Sequence, residues 1–495
     1  MSELSSGSEY TETLITVLSG GSLVFVSKVI GLGLGFLTQL AMARLLTGVQ
    51  YGDVVLTLAI VNVAALVAIL GMDDGLMRQF PRFERDPRKA RGVVRAGLGI
   101  AVGTGVVAAA AVFSAAPLVA RELFDSMSLT PLLRLGAVGV PFLVVGDVAV
   151  SLARGARDAK PHAYVDQLAR PLLRFFFVTG LVVAGYGAVG AVAGQVAAIG
   201  LAGILALLLA SRALPSFDTS PASMYRPVLA FSVPLMAVEG MLFLNSNIDI
   251  YMVGYFLNSS SVGVYNVALQ LANLLNAVLL TVGFLLPPAL TRLHEQDKHD
   301  EMRRLYQRVT KWIILLGVPV FTVLFFASEL VIGLLFGSTY TSGAPALRIL
   351  LGGLLFATVM GLNARSLIGL GRNRVVAYIT FGQVLVNGAF DALLVPVYGI
   401  SGAAGAMTAS LVVGNVLGVA ILKRDYNIHP FTRRMLTSLA AFGVVAVVGY
   451  SSVQALALPT PLVVLFIGAA YPFVVKLALS PGDKQLFNRL KRVVN

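Results

Sequence analysis

The sequence predicts an all-α polytopic membrane protein with about 14 transmembrane helices, arranged as two pseudo-symmetric six-helix lobes plus two extra C-terminal helices. The first reason is composition, because 57% of the 495 residues are hydrophobic and only 12% are charged. Soluble domains carry roughly 25% charged residues. The second reason is that apolar stretches of about 20 residues, enough to cross a hydrocarbon core, recur along the chain. The third is an internal repeat, which predicts the two lobes.

The predicted spans are apolar stretches separated by short polar, charged or glycine-rich gaps. They cover residues 16–44, 52–72, 92–120, 129–153, 162–184, 188–211, 227–256, 262–290, 311–336, 344–370, 374–396, 400–422, 434–455 and 460–479. The N-terminal lobe then comprises residues 1–220 with spans 1–6, and the C-terminal lobe comprises residues 221–425 with spans 7–12. Residues 426–495 hold spans 13 and 14 and a cytoplasmic tail.

Lysine and arginine concentrate in every second gap and in the C-terminal tail. Typical basic gaps contain Arg82, Arg88 and Lys89 after span 2, Arg303, Arg304 and Arg308 after span 8, and Lys423 and Arg424 after span 12. The gaps between them, such as AGYGAVG and VPVYGISG, contain neither residue. Because cytoplasmic loops collect basic residues, this alternation predicts that both termini are cytoplasmic. It also accounts for the net charge of +13 without a nucleic-acid partner.

The internal repeat has an offset of about 211 residues. The segment MARLLTGVQYGDVVLTLAIVN (42–62) aligns without gaps with VGYFLNSSSVGVYNVALQLAN (253–273), and Gly52 is matched with Gly263. A second motif, YGxxGA, begins at Tyr186 and again at Tyr398. The offset contains six spans, an even number, so the two repeats have the same orientation in the membrane. Parallel repeats of this kind are typical of transporters that move about a site near the midplane.

Ionisable residues at membrane depth are costly and usually face a cavity or a partner. Those predicted to lie deepest are Lys28, Arg174, Glu239, Asp249 and Asp391. Lys28 and Glu239 are equivalent in the repeat, so they are predicted to face each other across a pseudo-twofold cavity. Their charges then either contact a substrate headgroup or coupling ion, or form a salt bridge that holds the lobes together. Arg170, Asp147 and Arg365 lie nearer the predicted cytoplasmic ends.

Polar side chains also recur at helical spacing inside three spans. They are Asn245 and Asp249 in span 7, Asn266, Gln270, Asn273 and Asn276 in span 8, and Gln383, Asn387 and Asp391 in span 11. Residues three or four apart share one face of a helix. Such a stripe either lines a hydrated cavity for a sugar-bearing headgroup or makes hydrogen bonds between helices.

Catalytic and metal-binding patterns are missing from the sequence. There is no cysteine, no phosphate-binding loop of the GxxxxGK[ST] type, and no zinc-like spacing among the four histidines. No gap between spans is long enough for a separate nucleotide-binding domain. We therefore expect a transporter rather than an enzyme, with no cofactor or metal other than a coupling proton or sodium ion, and the sequence leaves its energy source open.

The segment SKVIGLGLGFLTQLAMARLLTGVQYGDVVLTLAIVN (27–62) resembles the start of the oligosaccharide flippases. These are the Wzx-like branch of the multidrug/oligosaccharidyl-lipid/polysaccharide exporter superfamily, which includes polysaccharide biosynthesis proteins. The shared features are Arg44-Leu45-Leu46 near the end of span 1 and Tyr51-Gly52 at the start of span 2. The YGxxGA turns resemble the openings of the family's spans 6 and 12.

This resemblance implies alternating-access translocation of a polyprenyl- or dolichyl-(pyro)phosphate-linked oligosaccharide from the cytoplasmic to the outer leaflet. The product would serve surface polysaccharide or glycoprotein assembly at the cell (plasma) membrane, with membrane lipids and glycan-assembly enzymes as partners. In the family a cationic cavity receives the phosphate and sugar, which suits Lys28 and Arg174. Glu239 and Asp249 suit a coupling proton or sodium ion instead.

Two other functions remain open from the sequence. A cation-coupled multidrug antiporter of the same superfamily would share the two lobes, although such antiporters generally have twelve spans. A polytopic glycan polymerase or ligase would usually carry catalytic residues on a long outward loop, and every outward gap predicted here is short.

Overall fold

The computed structural model describes residues 27–214, 219–283, 286–456, 458–459 and 462–478, without the side chains of residues 277–283. Throughout these ranges the regular secondary structure is helical. The first 11 residues of the predicted first span and the C-terminal tail beyond residue 478 lie outside the described residues.

Packing divides the chain into two compact units, Met1–Gly263 and Val264–Asn495. The helices that begin in the first unit are α1 (Ser27–Leu45), α2 (Gly48–Ile69), α3 (Met72–Phe83), α4 (Pro87–Leu118), α5 (Leu129–Ala137), α6 (Gly139–Gly155), α7 (Arg170–Leu181), α8 (Gly187–Ala213), α9 (Tyr225–Phe256) and α10 (Ser259–Gly283). Short π-helical segments extend α4 and flank α7, at Val119–Leu123, His162–Ala169 and Val182–Tyr186.

The second unit receives most of α10 and continues to the C-terminus. Its further helices are α11 (Leu286–Glu295), α12 (His299–Phe326), α13 (Ser328–Leu335), α14 (Ala344–Met360), α15 (Asn363–Gly369), α16 (Asn373–Tyr398), α17 (Ile400–Tyr426), α18 (Arg433–Ala455) and α19 (Leu462–Ala478). The strongest packing in this unit joins α16 and α14 to α17.

The predicted membrane-spanning helices are confirmed. Within the described ranges, 11 helical stretches are long and apolar enough to cross a membrane. One of them, His162–Ala213, contains two predicted spans, because the chain turns at Gly185, whose φ of 91° suits glycine. The two spans left over coincide with α10 and with the shorter apolar helix α19. Each of the fourteen predicted spans therefore has a helix.

Three predicted spans differ from the structure in their continuity, one of them 129–153, which is divided at Val138 between α5 and α6. The span predicted at 344–370 is interrupted after Met360, where Gly361 has a φ of 77°. The span predicted at 311–336 is divided at Ala327, between α12 and α13. Hydropathy is averaged over a window of about 19 residues, so it does not register a break at one residue.

The internal repeat has a structural counterpart at the starts of α2 and α10. Thr47 Oγ1 accepts a hydrogen bond from the Gln50 N–H at 3.3 Å, and the Gln50 side chain accepts one from the Thr47 N–H at 3.2 Å. Asn258 lies 211 residues after Thr47, and its Oδ1 accepts a hydrogen bond from the Ser261 N–H at 2.9 Å. Both residues satisfy a backbone donor that the start of a helix leaves open.

The repeat-equivalent glycines Gly52 and Gly263 allow these two helix starts to approach closely. A Cβ atom at Gly52 would overlap the carbonyl group of Ser259. A Cβ atom at Gly263 would lie 2.9 Å from the carbonyl oxygen of Gly48. The contact is therefore made by backbone atoms, and a larger side chain has no space there.

We expect Gly52→Ala to destabilise the folded protein by about 1–3 kcal/mol, the usual cost of overpacking a close contact. The thermal unfolding midpoint of the purified protein in detergent is the measurement. Gly200→Ala is the matched control, because no heavy atom lies within 4 Å of a Cβ atom built at Gly200. Equal midpoints for the two variants would contradict the predicted effect.

The predicted lobe boundaries at residues 220 and 425 are based on the sequence repeat and stay predictions. Packing places the division elsewhere, between Gly263 and Val264, because α9 contacts α2, α3 and α4. The first unit also contains an apolar core in which side chains of α2, α3, α4 and α6 meet the start of α9. This packing fixes the position of the polar residues on α9.

Candidate functional site

The predicted site residues fall into two groups, and each group is described within its own unit. The first unit contains Lys28, Arg174, Glu239, Asn245 and Asp249. The second unit contains Asn266, Gln270, Asn273, Gln383, Asn387 and Asp391.

Arg174 is a half-buried cation on α7. Its Nε atom is buried and makes no hydrogen bond, and no carboxylate in the described ranges forms an ion pair with its guanidinium. The titratable groups nearest to it are Tyr51 and Arg170. The Tyr51 hydroxyl, in turn, donates a hydrogen bond to Gln39 Oε1 at 2.9 Å. An intramembrane guanidinium that lacks a carboxylate can bind a phosphate through charge-assisted hydrogen bonds.

Lys28 is exposed on α1, close to the π-helical segment before α7. The contact between these elements occurs one turn later on α1, where a Cβ atom at Gly31 would lie 2.5 Å from the Gln167 carbonyl oxygen. No described carboxylate pairs with Lys28, Glu239 included. The structure therefore does not join Lys28 to Glu239 in a salt bridge.

Glu239 lies instead against an acidic residue of α3. Its carboxyl group lies close to that of Asp73, with Asp74 and Arg78 also nearby. Asp74 is itself paired with Arg78, at 2.6 Å between Oδ2 and Nη2. Two carboxylates this close repel each other, which favours a proton on one of them. Asp73 and Glu239 can therefore hold one exchangeable proton between them.

The approach of α3 to α9 brings these two carboxyl groups together. A Cβ atom at Gly75 would overlap the side chain of Ser232, so the two helices touch where α3 has no side chain. Gln79, one turn further along α3, donates a hydrogen bond to the Pro227 carbonyl oxygen at 3.1 Å. Glycine at position 75 and the amide at position 79 thus set the helix contact next to the acidic pair.

A second charged cluster connects α6 with the start of α7. The Arg170 Nη2 atom donates to Asp147 Oδ1 at 2.7 Å and lies 3.5 Å from Asp166 Oδ1. His162 Nδ1 lies 2.9 Å from the other oxygen of Asp166. Sequence reasoning placed Arg170 and Asp147 near the cytoplasmic ends but did not pair them. The four-residue spacing of His162, Asp166 and Arg170 indicated a common helix face, whereas Asp147 comes from another helix.

Asn245 and Asp249 lie one helical turn apart on α9, as predicted. Asp249 is 2% exposed, and Asn245 is half-buried with a side-chain oxygen that accepts no hydrogen bond from the described residues. Nearby, the Tyr251 hydroxyl donates to the Ala59 carbonyl oxygen at 2.9 Å, which attaches this part of α9 to α2.

In the second unit, the stripe on α16 contains one residue with a clear structural role. The Gln383 Nε2 atom donates to the Ser410 carbonyl oxygen of α17 at 3.2 Å. Gly414 leaves the space for that amide. For these stripes we expected either a hydrated cavity or hydrogen bonds between helices. Gln383 makes a hydrogen bond between helices. Asn387 and Asp391, one and two turns further, are completely buried.

The stripe on α10 changes from buried to exposed along the helix. Asn266 is 5% exposed, Gln270 is half-buried and Asn273 is exposed. The exposed end is the part of this stripe that a polar ligand could reach without a rearrangement.

One polar group that sequence reasoning missed lies at the break between α14 and α15. The Asn363 Nδ2 atom donates to Asn415 Oδ1 at 2.7 Å, and the Tyr306 hydroxyl donates to the Met360 carbonyl oxygen at 2.7 Å. The second bond satisfies a carbonyl at the end of α14, where the helix no longer does so. Glycine 361 within an apolar stretch was the one signal for this break.

Curated relatives match parts of this chain. A succinoglycan biosynthesis transport protein, ExoT of Rhizobium meliloti, is 26% identical over 330 residues, which are 66% of this chain and 63% of ExoT. A probable low-salt glycan biosynthesis flippase, Agl15 of Haloferax volcanii, is 25% identical over 50% of this chain and 53% of Agl15. The chain thus spans less than two thirds of the length of each of these relatives.

Solved structures of similar fold cover most of the chain. The lipid II flippase MurJ in an inward closed conformation matches 91% of this chain and 98% of its own, with a TM-score of 0.70 and 13% identity. A multidrug resistance MATE family transporter, inward-facing, matches 80% of this chain and 94% of its own, with a TM-score of 0.65 and 16% identity. At these identities the likeness shows the fold alone.

The sequence profile of one protein family aligns with a continuous part of the chain that includes the last turn of α1 and the whole of α2 to α13. The match covers residues 41–345, which is more than half of the sequence. This match confirms the resemblance seen in the motifs of the first two spans. The chain belongs to the family described as polysaccharide biosynthesis protein.

Proposed function

We propose that this protein is a flippase that moves a lipid-linked oligosaccharide from the cytoplasmic to the outer leaflet by alternating access. The family match and the relatives described as glycan transport proteins and flippases support this function. The lipid carrier would be a polyprenyl or dolichyl (pyro)phosphate. Its phosphate needs a cation inside the membrane, while its sugars need a polar path.

Arg174 is the observation that carries the proposal. Its guanidinium lies within an apolar helix and has no carboxylate partner in the described ranges, so it can bind a phosphate without first breaking an ion pair. Lys28, exposed and likewise unpaired in those ranges, is a second cation that a phosphate can approach from α1. Asn245 and Asn273 offer amide groups for sugar hydroxyls.

Energy for directional transport would come from a coupling proton or sodium ion. The neighbouring carboxyl groups of Asp73 and Glu239 support a proton, because two carboxyl groups close together take up and release one as their surroundings change. If sodium rather than a proton is the coupling ion, the carboxylate oxygens of the buried residues Asp249 and Asp391 would bind it.

We place the protein in the cell membrane with both termini in the cytoplasm, on the alternation of basic and uncharged gaps. In this orientation the oligosaccharide is received where cytoplasmic enzymes build it. It is released where enzymes that polymerise or transfer glycans would use it.

Reconstitution of the full-length protein into proteoliposomes tests the proposed function. A fluorescent lipid-linked oligosaccharide is placed in one leaflet, and its exposure on the other side is measured by a membrane-impermeant glycosidase. We expect exposure to depend on the protein and to accelerate when a proton or sodium gradient is applied.

Protein-free liposomes and liposomes with an unrelated membrane protein serve as controls. No exposure of several glycan lipids, together with gradient-driven efflux of a cationic dye, would replace the flippase by a multidrug antiporter. Release of inorganic phosphate or lengthening of the glycan during the assay would indicate an enzyme instead.

A further inference from the structure

An apolar groove of about 670 Å³ lies between α2 and α4 in the first unit. Its lining includes the small side chains of Ala64, Ala108 and Ala111 and the side chains of Val67 and Val107. These two valines are 49% and 69% exposed, so the groove opens away from the protein. In a multi-pass membrane protein this opening faces hydrocarbon chains.

The chemistry of the groove selects an apolar occupant. Thr104 carries the one side-chain hydroxyl among its lining residues, and that hydroxyl donates to the Ile100 carbonyl oxygen of its own helix at 2.8 Å. No polar group of the lining is therefore left to bind a sugar or a phosphate. The volume lies within the range of ligand pockets, about 300–1,000 Å³.

The length of the groove matches one leaflet of a bilayer. On α4 its lining extends from Ile100 to Val112, which corresponds to about 18 Å at 1.5 Å per residue. Half of a hydrocarbon core of about 30 Å is of similar length. A phospholipid acyl chain fits this length, whereas a long polyprenyl chain would extend well beyond it.

A cation lies next to one end of the groove. The Arg134 guanidinium of α5 is located 5.2 Å from the centre of the Phe113 ring, and Phe113 directly follows the last lining residue of α4. Arg134 is exposed and forms no ion pair with any described carboxylate. An arginine on the lipid-facing side of an apolar helix needs an anionic partner, and the lipid phosphate is the one available there.

We propose that this groove and Arg134 form a binding site for an anionic membrane phospholipid. One acyl chain lies in the groove, and the phosphate contacts the Arg134 guanidinium. Phe113 is near the end of α4 that is remote from the basic segment containing Arg88 and Lys89. By the predicted orientation, Phe113 and Arg134 therefore lie toward the outer side of the membrane. The site is independent of the translocation proposed above.

The test compares phosphatidylglycerol with phosphatidylcholine on the full-length protein, by native mass spectrometry from mixed nanodiscs. We expect the wild-type protein to retain phosphatidylglycerol with about tenfold preference. Arg134→Gln should lose this preference, and Arg134→Lys should keep most of it. Gly103→Leu should lose both lipids, since nothing lies within 4 Å of a Cβ atom at Gly103 and the new side chain would fill the groove.

Gly200→Leu is the matched control, because its Cβ atom is equally unobstructed but lies on α8. Thermal midpoints in phosphatidylcholine verify folding, and Val107→Phe replaces Gly103→Leu if that variant does not fold. An unchanged preference for phosphatidylglycerol in Arg134→Gln or in the groove-filling variant would overturn the proposal. Binding of polyprenyl phosphate but not phosphatidylglycerol would also overturn it, as would equal competition by soluble glycerol phosphate.

Discussion

Replacing Arg174 with alanine is expected to lower the rate of lipid-linked oligosaccharide translocation by about tenfold or more. A hydrogen bond to a charged group contributes about 1.5–3 kcal/mol, and 1.4 kcal/mol corresponds to a factor of ten. The substitution leaves no described carboxylate without a partner, so folding should be retained. The measurement is the initial rate of glycan exposure in proteoliposomes, normalised to reconstituted protein.

Two further variants separate charge from general damage. Arg174→Lys keeps the charge without the planar fork that matches a phosphate, so its rate should be intermediate. Arg212→Ala removes an exposed arginine from the last turn of α8 and should leave the rate unchanged. A wild-type rate in both Arg174 variants would remove this residue from the substrate site.

Much of the fold could be predicted because the membrane constrains it strongly. Apolar length determined the spans, and the alternation of basic gaps determined their predicted orientation. The offset of 211 residues also marked equivalent positions, since Thr47 and Asn258 cap helices and Gly52 and Gly263 meet at a close contact. The resemblance to oligosaccharide flippases agrees with the family match over residues 41–345.

The break inside span 10 could not be predicted from hydropathy. Gly361 interrupts the helix at a positive φ, although hydropathy assigns the whole of 344–370 to one span. The backbone group freed at Met360 is satisfied by the Tyr306 hydroxyl from another helix. Such a long-range hydrogen bond leaves no periodic signal in the sequence.

Most candidate site residues could be selected from the sequence, but their partners could not. The predicted depth of Glu239 in the membrane marked it as an ionisable residue with a high free-energy cost. Its contact with Asp73, in contrast, depends on how closely α3 approaches α9. The repeat suggested Lys28 as the partner because equivalent positions were assumed to face each other. Glu239 has Asp73 as its neighbour because α3 and α9 pack closely where Gly75 meets Ser232. A residue larger than glycine at position 75 would hold the two helices apart.

Replacing Glu239 with glutamine is expected to abolish the stimulation of translocation by a proton gradient. The amide has nearly the same size and stays polar, but it cannot take up or release a proton. The measurement is the ratio of the translocation rates with and without the gradient, which should exceed one in the wild-type protein and fall close to one in the variant. Glu301→Gln, at an exposed carboxylate near the start of α12, is the control and should keep the wild-type ratio.

Asp73→Asn provides the decisive comparison, because we propose that Asp73 and Glu239 share a single coupling proton. Each single variant should then remove the stimulation, and the double variant should lose no more than either alone. Additive losses would instead mean that Asp73 and Glu239 act on separate protons. Full stimulation in both single variants would exclude the pair from coupling. A response to sodium that persists in both would direct the search to the buried Asp249 and Asp391.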